Sequence, residues 1–115
     1  MIKKIKTTML ALACVSGLST VYAASPRKES FDPAQVTLGL DTYRQFCQRC
    51  HGTELRNSGA STFDLRQFPP GEYERFLESV SEGSGDMPPH GDILTEEEID
   101  ALFAYVVTTQ RSNSL

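Results

Sequence analysis

Asp32-Pro33-Ala34-Gln35-Val36-Thr37-Leu38-Gly39-Leu40-Asp41-Thr42-Tyr43-Arg44-Gln45-Phe46-Cys47-Gln48-Arg49-Cys50-His51 is the stretch on which the fold turns. Asp32 can cap a helix and Pro33 suits its first position. Val36, Gly39, Leu40, Tyr43, Phe46 and Cys47 then recur at spacings of three and four. That period predicts a helix with one apolar face, running to about Cys50.

The helix closes on Cys47-Gln48-Arg49-Cys50-His51, a Cys-x-x-Cys-His pentapeptide. On helical backbone, positions i, i+3 and i+4 share a face. Two sulfurs so placed can reach two vinyl groups on one porphyrin edge, with the imidazole beneath the ring to bind iron. The pentapeptide is therefore read as the attachment site of one covalent haem c, with His51 as proximal iron ligand. A thioredoxin-like pair would follow a strand, and here the motif ends an amphipathic helix. Zinc is disfavoured because Cys50 and His51 are adjacent and His90 is distant, unlike finger spacing.

Upstream, Met1-Ile2-Lys3-Lys4-Ile5-Lys6 is a basic start, an apolar run spans residues 9–21, and Val21-Tyr22-Ala23 offers small-residue cleavage. Residues 1–23 read as a signal peptide, which places the mature protein in the periplasm. The run is short and rich in Thr, Ser and Gly, poorly suited to crossing a bilayer. Leu12-Ala13-Cys14 loosely resembles a lipoprotein box, which leaves lipidation of Cys14 as a rival reading. Residues 24–31 read as a flexible polar arm and residues 32–115 as the folded domain.

Cleavage after Ala23 removes Lys3, Lys4 and Lys6. Eight of the 11 basic side chains then face 15 acidic ones, a net charge of 8 − 15 = −7. Such a surface argues against nucleic acid and suits partners met through complementary charge. Only Cys47, Cys50, Met87, His51 and His90 remain as soft ligands. A domain this small has a thin core and needs a staple, which a bound cofactor supplies.

After His51 a loop is predicted as far as Pro70, with Asn57-Ser58-Gly59 as a turn. Phe63, Leu65 and Phe68 within it are expected to pack inward. A second helix is predicted over residues 72–82, with Tyr73, Phe76, Leu77 and Val80 on one face and Gly83 as its stop. Residues 84–94 form another loop, containing Met87-Pro88-Pro89-His90-Gly91. Thr95-Glu96-Glu97-Glu98 is a capping box for a third helix, with Ile99, Leu102, Phe103 and Val106 on its apolar stripe and an end near Thr109. The expected class is all-α: three main helices wrapped around one haem.

Met87, in a loop stiffened by Pro88 and Pro89, is the candidate sixth iron ligand. Thioether plus imidazole is a low-spin electron-transfer pair with a raised potential. His90 is the alternative ligand, though a solvent-exposed His90 is the expected state. With both axial positions filled, no open position is left for substrate, which favours an electron carrier over an enzyme.

These motifs resemble the class I cytochrome c family over most of the mature chain. Gly39 and Tyr43 look like its N-terminal helix signature, and Leu102 and Tyr105 like the C-terminal helix that crosses it. Met87-Pro88 followed by Leu94-Thr95-Glu96-Glu97-Glu98-Ile99 is similar to its ligand loop and last helix. The resemblance implies a monomeric monohaem shuttle. Its donor would be a periplasmic dehydrogenase and its acceptor an oxidase or another cytochrome. Asp64-Leu65-Arg66-Gln67-Phe68-Pro69 with Met87-Pro88-Pro89 looks similar to short cytochromes that serve quinoprotein dehydrogenases. A haem enzyme or gas sensor with a labile sixth ligand is the competing function. Many members carry a Gly-Pro soon after the haem His, whose carbonyl orients that ring. Here no Pro occurs between His51 and Pro69, so a backbone carbonyl within residues 61–64 is the expected substitute. Arg56 and Arg66 are candidates to pair with haem propionates.

Overall fold

A computed structural model describes residues 30–57, 59 and 61–115. The predicted signal peptide (residues 1–23), with Cys14, and most of the predicted arm (residues 24–31) lie outside the described residues. Among the described residues there are four α-helices: α1 (Pro33–Phe46), α2 (Gln48–His51), α3 (Tyr73–Glu82) and α4 (Glu96–Asn113). No strand is present among them; Ser84 and Met87 form one isolated bridge.

Helix α1 begins as its sequence demands: the Asp32 carboxylate accepts from the Ala34 amide at 2.8 Å. The predicted single helix breaks at Cys47, whose φ of −113° departs from helical backbone, and restarts as the one-turn α2. Helix α3 stops at Gly83, with φ of +81°. A Cβ there would meet the Met87 carbonyl oxygen at 2.6 Å, so only glycine fits. Helix α4 opens with the expected capping box, Thr95 and Glu98 each bonding the other's backbone amide.

The core lies between α1 and α4. Tyr43, Leu102, Val106 and Val107 are almost wholly buried there. Gly39 makes the crossing possible, and the Tyr43 and Tyr105 rings stack at a tilt with centroids 5.0 Å apart. Phe76 of α3 packs edge-on between Phe68 and Phe103, at 5.6 and 5.2 Å. Each such aromatic pair adds roughly 0.5–1.5 kcal/mol beyond area burial. Tyr73 also ties α3 to α4 by donating its hydroxyl to Asp100.

Two expectations need correction. Helix α4 continues to Asn113 rather than ending near Thr109, because the Gln110 side-chain amide donates to the Leu65 and Phe68 carbonyls at 2.5 and 2.9 Å. That tertiary anchor holds a turn whose polar sequence gives no sign of it. The Phe63 ring does not pack inward: it is 49% exposed and touches Phe68 only edge-on. Leu65 and Phe68 do pack on the core.

Candidate haem site

The break at Cys47 gathers the pentapeptide into one turn. The Cys50 and His51 amides both donate to the Cys47 carbonyl, at 3.1 and 3.0 Å. Cys47, Cys50 and His51 thereby share a face at the i, i+3, i+4 spacing. Both thiols are free; Cys47 packs against the core while Cys50 is exposed. Burial, and then the neighbouring Cys50, push the Cys47 thiol up to about 11.

His51 Nδ1 lies 3.2 Å from the Phe63 carbonyl oxygen. A carbonyl can only accept, so Nδ1 carries the proton and Nε2 keeps its lone pair. The acceptor falls within residues 61–64, where the missing Gly-Pro had to be replaced. Burial lowers the His51 pKa, partly offset by this hydrogen bond, which favours the neutral, ligating imidazole.

Beyond His51 the backbone is unusual. Gly52, Glu54 and Leu55 all take positive φ, of +82°, +53° and +66°. Gly52 must be glycine, since a Cβ would lie 2.0 Å from the Arg56 carbonyl oxygen. Leu55 is wholly buried, and its burial holds the turn. The Tyr43 hydroxyl reaches across to donate to the Gly52 carbonyl at 2.6 Å. Farther on, the Asn57 side chain donates to the Thr62 carbonyl at 2.6 Å, just before Phe63. Sequence alone puts Asn57 in a turn and Tyr43 in a helix contact, and it announces neither hydrogen bond. A tyrosine four residues before the first cysteine is the available signal for the Tyr43 bond.

The Met87 loop is closed at both ends. Ser84 and Met87 exchange backbone hydrogen bonds at 3.1 and 3.0 Å, and the His90 and Gly91 amides donate to Val80 and Ser81 at 2.8 and 3.0 Å. Met87 is half-buried against the core. The expected exposed His90 is instead half-buried. Its ring meets Phe46 edge-on at 6.4 Å, and its Nδ1 is buried without a partner among the described residues. Phe46 directly precedes Cys47, so this contact brings the methionine loop to the pentapeptide. Arg66 spends its guanidinium on Asp64, with bonds of 2.9 and 2.8 Å, and that pairing holds the Asp64 carboxyl below its usual range.

A family model described as "Cytochrome C oxidase, cbb3-type, subunit III" matches residues 34–106. The chain belongs to this family. It is a c-type monohaem cytochrome. A protein of Pseudomonas aeruginosa named cytochrome c550 is 32% identical over 78 residues, which cover 62% of this chain and 53% of that protein. The cytochrome thus spans about half the length of the curated relative it matches. No solved structure matches it.

The cofactor of this cytochrome is one covalent haem c, and Cys47 and Cys50 fit the attachment motif. The geometry suits that group: two free thiols and an Nε2 lone pair on one helical turn, with a thioether loop packed close by. Among the described residues no cluster of His, Cys, Asp and Glu could hold a separate metal ion. Nor is any described helix long and apolar enough to cross a membrane.

Proposed function

We propose that this cytochrome is a periplasmic shuttle that carries single electrons from a dehydrogenase to an oxidase or another cytochrome. Cys47 and Cys50 would hold the haem, and His51 and Met87 would bind its iron. Haem c supplies a one-electron couple; the chain's part is to hold it, tune it and keep other ligands out. His51 offers Nε2 because Phe63 occupies Nδ1. Met87 is the only methionine among the described residues, and its loop abuts Phe46 through His90.

The observation that carries this reading is the His51 imidazole, fixed in one tautomer beside both thiols. Were His51 and Met87 both to bind the iron, no position would remain for a substrate, which favours a carrier over an enzyme. A quinoprotein dehydrogenase is the donor we favour, on the likeness of residues 64–69 and 87–89 to cytochromes of that kind.

Absorption and carbon monoxide binding test the proposal. The oxidised mature holoprotein should show the far-red iron–thioether charge-transfer band, and Met87→Ala should lack it. A wild type without that band that binds carbon monoxide readily when reduced would instead support a gas sensor or haem enzyme.

A further inference from the structure

Tyr43 sits one helical turn before the first cysteine, since the Cys47 amide donates to the Tyr43 carbonyl at 2.9 Å. Its ring is 1% exposed and held against Tyr105. A tyrosine with its ring locked has little freedom left, so the hydroxyl arrives at the Gly52 carbonyl already placed. Burial pushes the phenol well above its ordinary range, so it stays a proton donor.

Gly52 is bonded from both sides. Its amide donates to the Gln48 carbonyl at 2.8 Å inside α2, and its carbonyl accepts from Tyr43 at 2.6 Å. The turn beyond is locally unfavourable, because positive φ crowds the Cβ of a non-glycine residue against the backbone. Glu54 and Leu55 both adopt it. Something tertiary must hold that turn, and two contacts do: burial of Leu55 and the Tyr43 hydroxyl.

We propose that Tyr43 is a positioning residue for His51: through the Gly52 carbonyl, its hydroxyl fixes the turn that keeps Nδ1 on the Phe63 carbonyl. This rests on the reading of His51 as iron ligand. An Nδ1–H donated to a carbonyl orients a ligating imidazole and raises its basicity. A more basic ligand stabilises ferric iron. Losing the hydroxyl therefore loosens the turn, weakens the Nδ1 bond and favours ferrous iron. The alternative role for the hydroxyl is merely to satisfy a buried phenol, and it makes no such statement about the iron.

The test compares mature holoprotein of the wild type, Tyr43→Phe and Tyr105→Phe. Tyr105→Phe removes the same atom from the other member of the ring pair. Tyr43→Phe should shift the reduction equilibrium toward ferrous by about threefold to tenfold, tenfold being 59 mV for one electron. It should also speed solvent exchange of the His51 Nδ1 proton in the ferrous protein. Tyr105→Phe should move neither. Equal shifts in both variants, or no shift in Tyr43→Phe, overturn the proposal. Should Tyr43→Phe fail to mature, the wild type decides: a slowly exchanging Tyr43 hydroxyl proton supports the bond and a rapidly exchanging one overturns it. Ferric wild type lacking paramagnetically shifted His51 ring resonances overturns the ligand reading and this proposal together. Shifted resonances with an unmoved potential in Tyr43→Phe overturn this proposal alone.

Discussion

Gly39 and Ala101 leave no space for a side chain between them: a Cβ on Gly39 would lie 1.9 Å from the Ala101 carbonyl oxygen. The obstacle is backbone, which moves only if α1 and α4 separate. Alanine has the better helix propensity by about 1 kcal/mol. Prising apart a packed core costs about 1–3 kcal/mol or more. With a backbone clash this close, overpacking wins. Gly39→Ala should lower the denaturation midpoint of the holoprotein, and an unchanged or raised midpoint would refute the close crossing.

Gln110 holds two carbonyls of the segment between the pentapeptide and α3. Gln110→Ala removes both bonds at once, at about 0.5–1.5 kcal/mol each. Amide exchange should accelerate in the last turn of α4 and around Phe68. Exchange unchanged at both places would show that the anchor is inactive in solution.

Alkaline pH should destabilise the fold through Tyr43 and Tyr73. Both phenols are pushed up, chiefly by burial, Tyr73 also by its bond to Asp100. Above about pH 10 the unfolded chain releases protons that the folded chain retains, so stability falls as pH rises. Below that pH the two phenols contribute no slope. Helix content followed in denaturant at several pH values checks this, and Tyr73→Phe should flatten the curve.

Ionic strength should act on electron exchange with a sign set by charge. The whole chain has a formal charge of −4. Raising salt from about 10 to 150 mM shortens the screening length from about 30 to 8 Å. Stopped-flow rates should fall with a cationic metal-complex reagent and rise with an anionic one. The opposite pair of trends would mean that the haem edge lies in a basic field.

Much of this molecule is legible without its structure. The pentapeptide names its own cofactor because the spacing is chemistry, and the Asp32, Gly83 and Thr95 boundaries stem from local capping. The faces of α1, α3 and α4 emerge from period alone. The hidden parts depend on distant contacts. Nothing local in Gln110 announces that it will carry α4 a turn further. His90 reads as exposed because polar neighbours in a loop say nothing of the Phe46 ring beside it. Phe63 misleads in an instructive way, since hydropathy weighs its ring while its backbone oxygen does the work. Positive φ at Glu54 and Leu55 is invisible because neither is a residue that favours it.

The backbone at Glu54 and Leu55 also bears on how the molecule assembles. A segment whose own preferences oppose its final shape cannot act as a seed. It can close only after α1 and α4 have met and formed the hole that receives Leu55. The helix crossing is therefore expected to form before the segment below His51 locks, and native-state amide exchange should find that segment opening ahead of the α1–α4 pair.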